Sequence, residues 1–247
     1  MITIAVQVPY ASFRKSYARS FAETYALPPP ATVYGMLLSL VGERYRVRHV
    51  GVRLALAFKC RVEDENGAVD AFPRETCGRT CLPLVATNVR KLSRFKYGVV
   101  TKDKIASGHK LDFVETLSGI DFLCWIDSSL EKRRNGNLST SDSRTLEERI
   151  AEAIREPDKV DRYGVLSLGL SDDAVNSVSL CDRFEGDWHR LLPSDIGSIE
   201  LPIWVDHVGA ADTRWQRFEF EESASPITES PGTPIWAWTE MNDPGPS

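Results

Sequence analysis

The sequence predicts an α+β fold, and three observations support this prediction. Strand and helix patterns follow one another as β-α-β, a long insertion, and β-α-β again, which is the ferredoxin-like or RRM-like order. After this series only strand patterns occur, so a small β-rich C-terminal domain is expected. The length of 247 residues and the hydrophobic fraction of 42% suit one large or two small domains. The boundaries predicted are 1–172 for the first domain, 173–240 for the second and 241–247 for a disordered tail.

Prolines and a glycine bound the first predicted helix. The three prolines at 28–30 exclude a continuing helix before them and favour an extended approach to the next element. Apolar spacing then predicts a helix over about 31–41, with Thr32 as its N-cap. Gly42 comes next, where a left-handed helix terminus is expected. Strand patterns flank this helix at 2–8 and 50–60.

The second unit contains the clearest helix. Thr145 and Glu148 form a capping-box pattern ahead of apolar residues at helical spacing, which predicts a helix over 145–156. Residues 163–170 are expected to form a strand that ends in a glycine turn. The other predicted strands lie at 112–127, 177–184, 198–205, 214–221 and 233–240.

Charge is divided unevenly along the chain. The net charge of −5 argues, taken alone, against a nucleic-acid partner. Residues 1–110 nevertheless carry a net charge of +10, whereas residues 165–247 carry −11. This asymmetry indicates a polyanion-binding surface confined to the N-terminal half.

The insertion over about 73–110 is the most basic segment, and a pair of irregular strands is predicted there. Phe95 and Tyr97 stand among its cations, and unstacked bases pack against flat rings beside basic side chains. The alternative interpretation is a solvated hairpin whose lysines keep it soluble. The basic residues of its densest part are Arg90, Lys91, Arg94, Lys96, Lys102, Lys104 and Lys110.

Composition disfavours several classes of protein. No apolar run approaches the roughly 20 residues that a membrane-spanning helix needs, and the first residues lack a secretory pattern. We therefore expect a cytoplasmic protein with no membrane partner. The five cysteines are odd in number and few, so a disulfide scaffold is not expected. Cys77 and Cys81 have a zinc-like spacing with Cys60 nearby, but no second pair follows, and we expect neither a metal nor another cofactor.

Few residues offer candidates for catalysis. The histidines, His49, His109, His189 and His207, show no metal-ligand spacing, and neither a GxSxG nor a Walker-type loop occurs. His109 beside Lys110 could act as a general acid or base, or as a polar residue of an RNA-contacting loop. Tyr25 and Tyr34 flank the proline run and could stack on bases or shelter the start of the helix. For the six tryptophans, core packing is the first expectation.

Two stretches resemble a known family. Residues 12–43, SFRKSYARSFAETYALPPPATVYGMLLSLVGE, are similar to the N-terminal signature of the Cas5 family of CRISPR-associated proteins. This family supplies the subunit that holds the 5′ handle of the guide RNA (crRNA) in type I (Cascade) complexes. Residues 162–173 are similar to the later glycine-turn segment of the family. The matching positions are Ser12, Phe13, Arg14, Thr32, Tyr34 and Gly35 in the first stretch, and Gly164, Ser167, Leu168 and Gly169 in the second.

The resemblance implies a RAMP fold, in which the insertion at 73–110 is a protruding thumb on the RRM-like domain. It implies a non-catalytic RNA-binding subunit whose partners are crRNA, the backbone subunit and the large subunit, with target DNA reached indirectly through the complex. A MYXAN-type or transposon-associated complex is the nearest variant, which makes transposition proteins further candidate partners.

The resemblance also implies roles for single residues. Phosphate contacts are expected from three basic residues, Arg14, Lys15 and Arg19. The wall near the handle would be shaped by Tyr34 and Gly35. The RNA backbone or the thumb interface would be followed by Arg90, Lys91, Arg94 and Lys96. One branch of the family cleaves repeat RNA with a Tyr, a Lys and a His, so a metal-independent endoribonuclease using Tyr25, His109 and Lys110 is the alternative function.

Overall fold

The computed structural model describes residues 1–15, 21–49, 51–59, 84–93, 109–131, 143–162, 164–182, 188–206 and 211–221, and for Phe21, 84–93 and 109–112 it describes the backbone alone. The predicted strand at 233–240, the tail at 241–247 and the three cysteines considered for zinc lie outside these residues. Within the described part, no helix is long and apolar enough to cross a membrane.

Nine strands join one sheet in the described part of the chain. Seven of them follow one another in the order β6-β1-β5-β3-β7-β9-β8, each antiparallel to its neighbours. β2 pairs with β5 in parallel and β4 pairs with β5 antiparallel. The predicted mixture of helices and strands is therefore confirmed. The strands are β1 (Ile2–Ala11), β2 (Phe21–Ala22), β3 (Arg53–Lys59), β4 (Leu84–Ser93), β5 (His109–Asp127), β6 (Ser177–Leu180), β7 (Trp188–Pro193), β8 (Ile199–Trp204) and β9 (Arg214–Phe220).

The first helix, α1 (Pro30–Leu40), begins one residue earlier than predicted, and Thr32 is not its cap. Pro29 is extended, with φ −62° and ψ 140°, and Pro30 is the first helical residue. A proline suits this place because its fixed φ is helical and its missing N–H would have no intrahelical partner there. Gly42 has φ +66°, which confirms the predicted left-handed terminus.

The second helix, α2 (Leu146–Arg155), has the predicted capping box. The Glu148 N–H donates to Thr145 Oγ1 at 3.2 Å, and the Thr145 N–H donates to Glu148 Oε2 at 2.7 Å. Leu146 and Ile150 are buried, so the helix packs its apolar face into the core as its sequence period indicates.

β5 is the longest strand and changes partners along its length. Its C-terminal half lies between β1 and β3, whereas its N-terminal half pairs with β4 from Ser118 back to His109. Since Leu117 and Ser118 pair with β1 and β4 at once, β4 lies on the edge of β5 that β3 occupies further along. The pair of strands expected in the insertion is therefore found in this part, as β4 and the first residues of β5, but the expected irregularity is wrong. The two strands form a regular ladder that runs without a break into the strand predicted at 112–127.

The prediction of a strand at 163–170 is wrong for the described residues 164–170, whereas the glycine turn predicted at its end is confirmed by Gly169, with φ +107°. Gly164 has φ +75°, which a strand does not accommodate, and Ser167 forms an isolated bridge to Ala174. The edge beside β1 is formed instead by β6.

β7 was not predicted, because its sequence WHRLLP lacks a clear alternation. It pairs with β3, while β6 pairs with β1, so the sheet continues across the predicted boundary at residue 172. The division into two domains stays a prediction.

Both faces of the central strands are buried. Leu54, Leu56 and Phe58 of β3 belong to the main core, which also contains the inward side chains of α1 and α2. The alternate residues Ala55 and Ala57 pack on the other face in a second, smaller cluster. Among the tryptophans, the core prediction is confirmed at Trp125, Trp188 and Trp204 and is wrong at Trp215, which is 44% exposed; Trp236 and Trp238 lie outside the described residues.

Candidate nucleic-acid interface

A groove of about 470 Å³ opens where four separate segments of the chain meet. These segments are the residues that come after β1, the start of α1, the glycine turn near residue 169, and the connected ends of β8 and β9. The first three belong to the two stretches that show the family resemblance, so the fold brings both of those stretches to one place. The lining of the groove includes Arg14, Tyr25, Leu170, Asp206, Thr213 and Trp215.

The buried carboxylate of Asp173 fastens the glycine turn to the N-terminal segment. Its Oδ2 accepts the Ser12 N–H at 2.8 Å and the Leu170 N–H at 3.0 Å. Loss of this carboxylate would take the acceptor away from both N–H groups, and leaving a buried donor without an acceptor costs folding free energy. Asp173 therefore holds together two parts of the groove that are more than 150 residues apart.

Gly169 permits a close approach at this junction. With φ +107°, a Cβ at this position would lie 2.8 Å from the Ser12 carbonyl oxygen and 3.4 Å from Phe13 Cε1. Both the left-handed conformation and the space available therefore require glycine. The local structure thus explains why glycine is needed at this matching position of the second stretch.

Side chains also fix the segment that comes after β1. Thr24 Oγ1 accepts the Phe13 N–H at 2.8 Å, and the Phe13 carbonyl accepts the Tyr25 N–H at 2.9 Å. Ser12 Oγ and Thr116 Oγ1 are 3.0 Å apart, and Glu115 accepts the Thr24 N–H at 3.0 Å. The rim that carries Arg14 and Tyr25 is thereby attached to β5.

The open surface of the groove combines a cation with aromatic rings. Arg14 is exposed, and the rings of Tyr25 and Trp215 contact each other with centroids 6.0 Å apart at an angle of 57°. Single-stranded nucleic acids bind to such surfaces because their phosphates pair with cations and their unstacked bases lie on aromatic faces. The arrangement is chemically suited to a nucleic acid.

The other candidate residues are spread over several places in the fold. Lys15 forms an ion pair with Glu23 at 3.3 Å beside the groove. Gly35 lies on the exposed face of α1, where no atom of the described residues outside the helix backbone lies within 4 Å of an added Cβ, and it does not line the groove. Arg90 and Lys91 lie on β4, while His109 and Lys110 begin β5, in each case with only the backbone described. Arg19, Arg94 and Lys96 lie outside the described residues.

Tyr34 is buried, so of its two interpretations the structure favours packing over base stacking. Its hydroxyl donates to the Arg46 carbonyl at 2.9 Å, and its ring lies 6.4 Å from that of Trp204. Burial, followed by the charges of Glu131 and Glu43, raises the pKa of this hydroxyl. Tyr34 thus remains a donor that supports α1 from inside.

Sequence reasoning missed Trp215, although a signal was present. In β9 the buried residue is Phe218, and period-two alternation places Trp215 on the opposite face with Arg217 and Glu219. A tryptophan that shares one face of a strand with charged residues is expected to face outward. Asp173 had no comparable signal, because Ser12, which its carboxylate joins to the glycine turn, is 161 positions away in the sequence.

Comparison with known proteins shows the family and the fold of the chain. No family model matches the chain. It is 34% identical, over 239 residues, to the CRISPR-associated protein Cas5 of Myxococcus xanthus (strain DK1622), a match that spans 95% of this chain and 98% of that protein.

Among solved structures, a chain of a CRISPR RNA-guided surveillance complex has the same fold, with a TM-score of 0.52, 12% identity and 95% of each chain covered. A second, described as a Cas protein, has a TM-score of 0.39 and 14% identity, over 89% of this chain and 93% of that one.

Sequence similarity and fold together define a CRISPR-associated protein with a mixed α/β fold built on a largely antiparallel sheet. The chain belongs to the Cas5 family. The resemblance proposed from residues 12–43 and 162–173 is thus confirmed.

Proposed function

We propose that this protein is the non-catalytic subunit that holds the 5′ handle of crRNA in a type I effector (Cascade) complex. One observation carries the proposal: the two stretches typical of the family meet in a groove where Arg14 lies beside Tyr25 and Trp215. A single-stranded handle exposes phosphates and bases together. Phosphate contacts position such a strand, while stacking holds its bases.

The proposal includes the finer architecture. The order β6-β1-β5-β3, with α1 after β1 and α2 after β5, supports an RRM-like arrangement. The ladder between β4 and the first half of β5 is the thumb, through which the protein contacts the backbone subunit. Other surfaces contact the large subunit, and target DNA is reached through the complex, in the cytoplasm.

Replacement of Arg14 by alanine tests the groove. In a complex assembled with crRNA and the partner subunits, Arg14→Ala is expected to reduce nuclease protection of the handle. The slope of log affinity against log salt should also fall by about one unit, since one phosphate contact is lost. Arg155→Ala is the matched control, because Arg155 is exposed at the end of α2 and does not line the groove.

Two results would count against this function. A complex in which Arg14→Ala and Arg155→Ala protect the handle equally would place the RNA elsewhere. Cleavage of repeat RNA by the protein in EDTA would instead favour the endoribonuclease with Tyr25, His109 and Lys110, and this cleavage should disappear in His109→Ala.

A further inference from the structure

We infer that the groove holds one unstacked nucleobase against Trp215 and that Asp206 makes the site prefer guanine. This inference rests on the proposed RNA-binding function and adds the base that the site selects. It depends on residues that lie outside the two stretches that resemble the family, at the ends of β8 and β9.

Trp215 is built as a platform. It lies on β9 opposite Pro202 of β8, so its backbone is fixed by the sheet, and the ring of Tyr25, which also lines the groove, packs against its ring. Despite these contacts it stays 44% exposed. A large aromatic ring held in place at the mouth of a groove offers a surface on which any base can stack.

The volume of the groove suits a single nucleotide. Its volume of about 470 Å³ falls within the range of small-molecule sites. Pro29, Leu170, Pro202 and Val205 supply apolar walls, which favour the flat face of a base over a hydrated phosphate. A phosphate belongs instead at the exposed rim, where Arg14 lies.

Asp206 supplies the polar group that reads the base. Arg14 and Asp206 are the charged residues among the described residues that line the groove. The Asp206 N–H donates to Thr213 Oγ1 at 3.1 Å, which ties the end of β8 to the start of β9 near Trp215. A carboxylate only accepts, and its four lone-pair positions let it keep a protein partner, such as the nearby Arg46 charge, while it accepts from a base.

Guanine fits this acceptor best. Its N1–H and N2–H₂ donors are adjacent on the Watson–Crick edge and match the two oxygens of one carboxylate. Adenine and cytosine each offer an amino group beside an acceptor nitrogen, and uracil offers one N–H between two carbonyls. These three bases would bring an acceptor against the carboxylate.

The test uses the full chain and four hexameric RNAs: hexauridylate, and the same strand with one internal G, A or C. Tryptophan fluorescence quenching reports stacking, and titration reports affinity. The G-containing strand is expected to bind most tightly. Asp206→Asn should weaken binding of that strand about tenfold, because an amide replaces one acceptor with a donor, and should change the other three less than twofold. Trp215→Ala should weaken all four about tenfold and remove the quenching.

Each variant has a matched control. Asp212→Asn removes the same charge from the exposed turn beside β9, and Tyr10→Ala removes an aromatic residue that is 61% exposed; neither residue lines the groove. Both controls should bind like the wild-type protein. A base preference unchanged by Asp206→Asn, or quenching that survives Trp215→Ala, would overturn the inference.

Failure of the inference can be distinguished from failure of the proposed function. If Arg14→Ala weakens binding of all four strands while Asp206→Asn and Trp215→Ala have no effect, RNA binds the protein but no base enters the groove. If none of the strands binds the wild-type protein, the inference is wrong, and nuclease protection of the handle in the assembled complex then decides the proposed function separately.

Discussion

At the scale of single residues, Glu43 joins the two helices. Its carboxylate is 4% exposed and accepts from Arg149 Nη1 at 2.6 Å and from Arg48 Nη1 at 3.0 Å, while Arg149 Nη2 donates to the Val41 carbonyl at 2.9 Å. Burial alone would raise the pKa of Glu43, but the hydrogen bond from Arg149 and the further donors around it hold that pKa below its ordinary value. The carboxylate is thus stabilised in its charged form.

Removal of Arg149 should therefore be costly. Arg149→Met is expected to lower the free energy of unfolding by about 3 kcal/mol, because a buried charge loses its main partner. Urea denaturation measures this change. Arg144→Met is the control: Arg144 is 46% exposed and pairs with Glu152 at the surface, so its loss should cost less than about 1 kcal/mol. Equal losses in the two variants would mean that the buried pair contributes no more than a surface pair.

The capping box of α2 could be predicted from the sequence, whereas the ion pair between Glu43 and Arg149 could not. Thr145 and Glu148 are three positions apart, so their capping box could be read directly from the sequence. Glu43 and Arg149 are separated by 106 positions, and nothing local in either segment indicates the other.

At the scale of elements, the end of α1 depends on Gly42. The Glu43 N–H donates to the Leu38 carbonyl at 2.8 Å and the Gly42 N–H donates to the Ser39 carbonyl at 3.1 Å, which is the Schellman pattern. A Cβ on Gly42 would lie 2.2 Å from the Asp161 carbonyl oxygen, so the helix end packs directly on the backbone that comes after α2.

Comparison of two glycines separates backbone strain from crowding. Gly42→Ala is expected to lower the free energy of unfolding by at least about 3 kcal/mol, since left-handed strain adds to a backbone clash. Gly164 is also left-handed, with φ +75°, but apart from its chain neighbours no atom of the described residues lies within 4 Å of its added Cβ. Gly164→Ala should cost only the strain, about 1 kcal/mol. Calorimetric or urea unfolding of both gives the difference; similar losses would show that the Asp161 segment moves aside.

Elements with local signals were predicted well, and elements defined by partners were not. Both helices lie within one residue of their predicted limits, because prolines, a glycine and a capping box mark their ends. The segment at 163–170 has apolar residues in a strand-like pattern, but its glycines turn the chain instead. β7 has no such pattern and exists because β3 and β9 offer it two edges.

At the scale of the whole molecule, the candidate groove could be predicted only in part. The stretch at 12–43 indicated the family and Arg14, and the basic N-terminal half indicated a polyanion. Alternation along β9 could indicate that Trp215 is exposed, but its place in one wall with Asp206 could not be predicted, because that wall depends on β8 and β9 lying beside α1. The C-terminal portion with a net charge of −11 thus supplies one side of a site that the charge distribution assigned to the other half.

Substitution of Asp173 tests whether RNA binding needs the contact between the glycine turn and the N-terminal segment. Asp173→Ala leaves the Ser12 and Leu170 N–H groups without their acceptor, so we expect unfolding free energy to fall by about 2 kcal/mol and handle affinity to fall although Asp173 itself does not line the groove. The exposed neighbour Asp172 is the control, and Asp172→Ala should leave both quantities unchanged. Asp173→Asn retains one accepting oxygen and should recover part of the affinity.

If Asp173→Ala is less stable but binds the handle like the wild-type protein, the junction between the glycine turn and the N-terminal segment stabilises the fold without shaping the groove. If Asp173→Ala binds the handle more weakly and Asp173→Asn recovers part of that binding, then RNA recognition depends on how these two distant segments are held together.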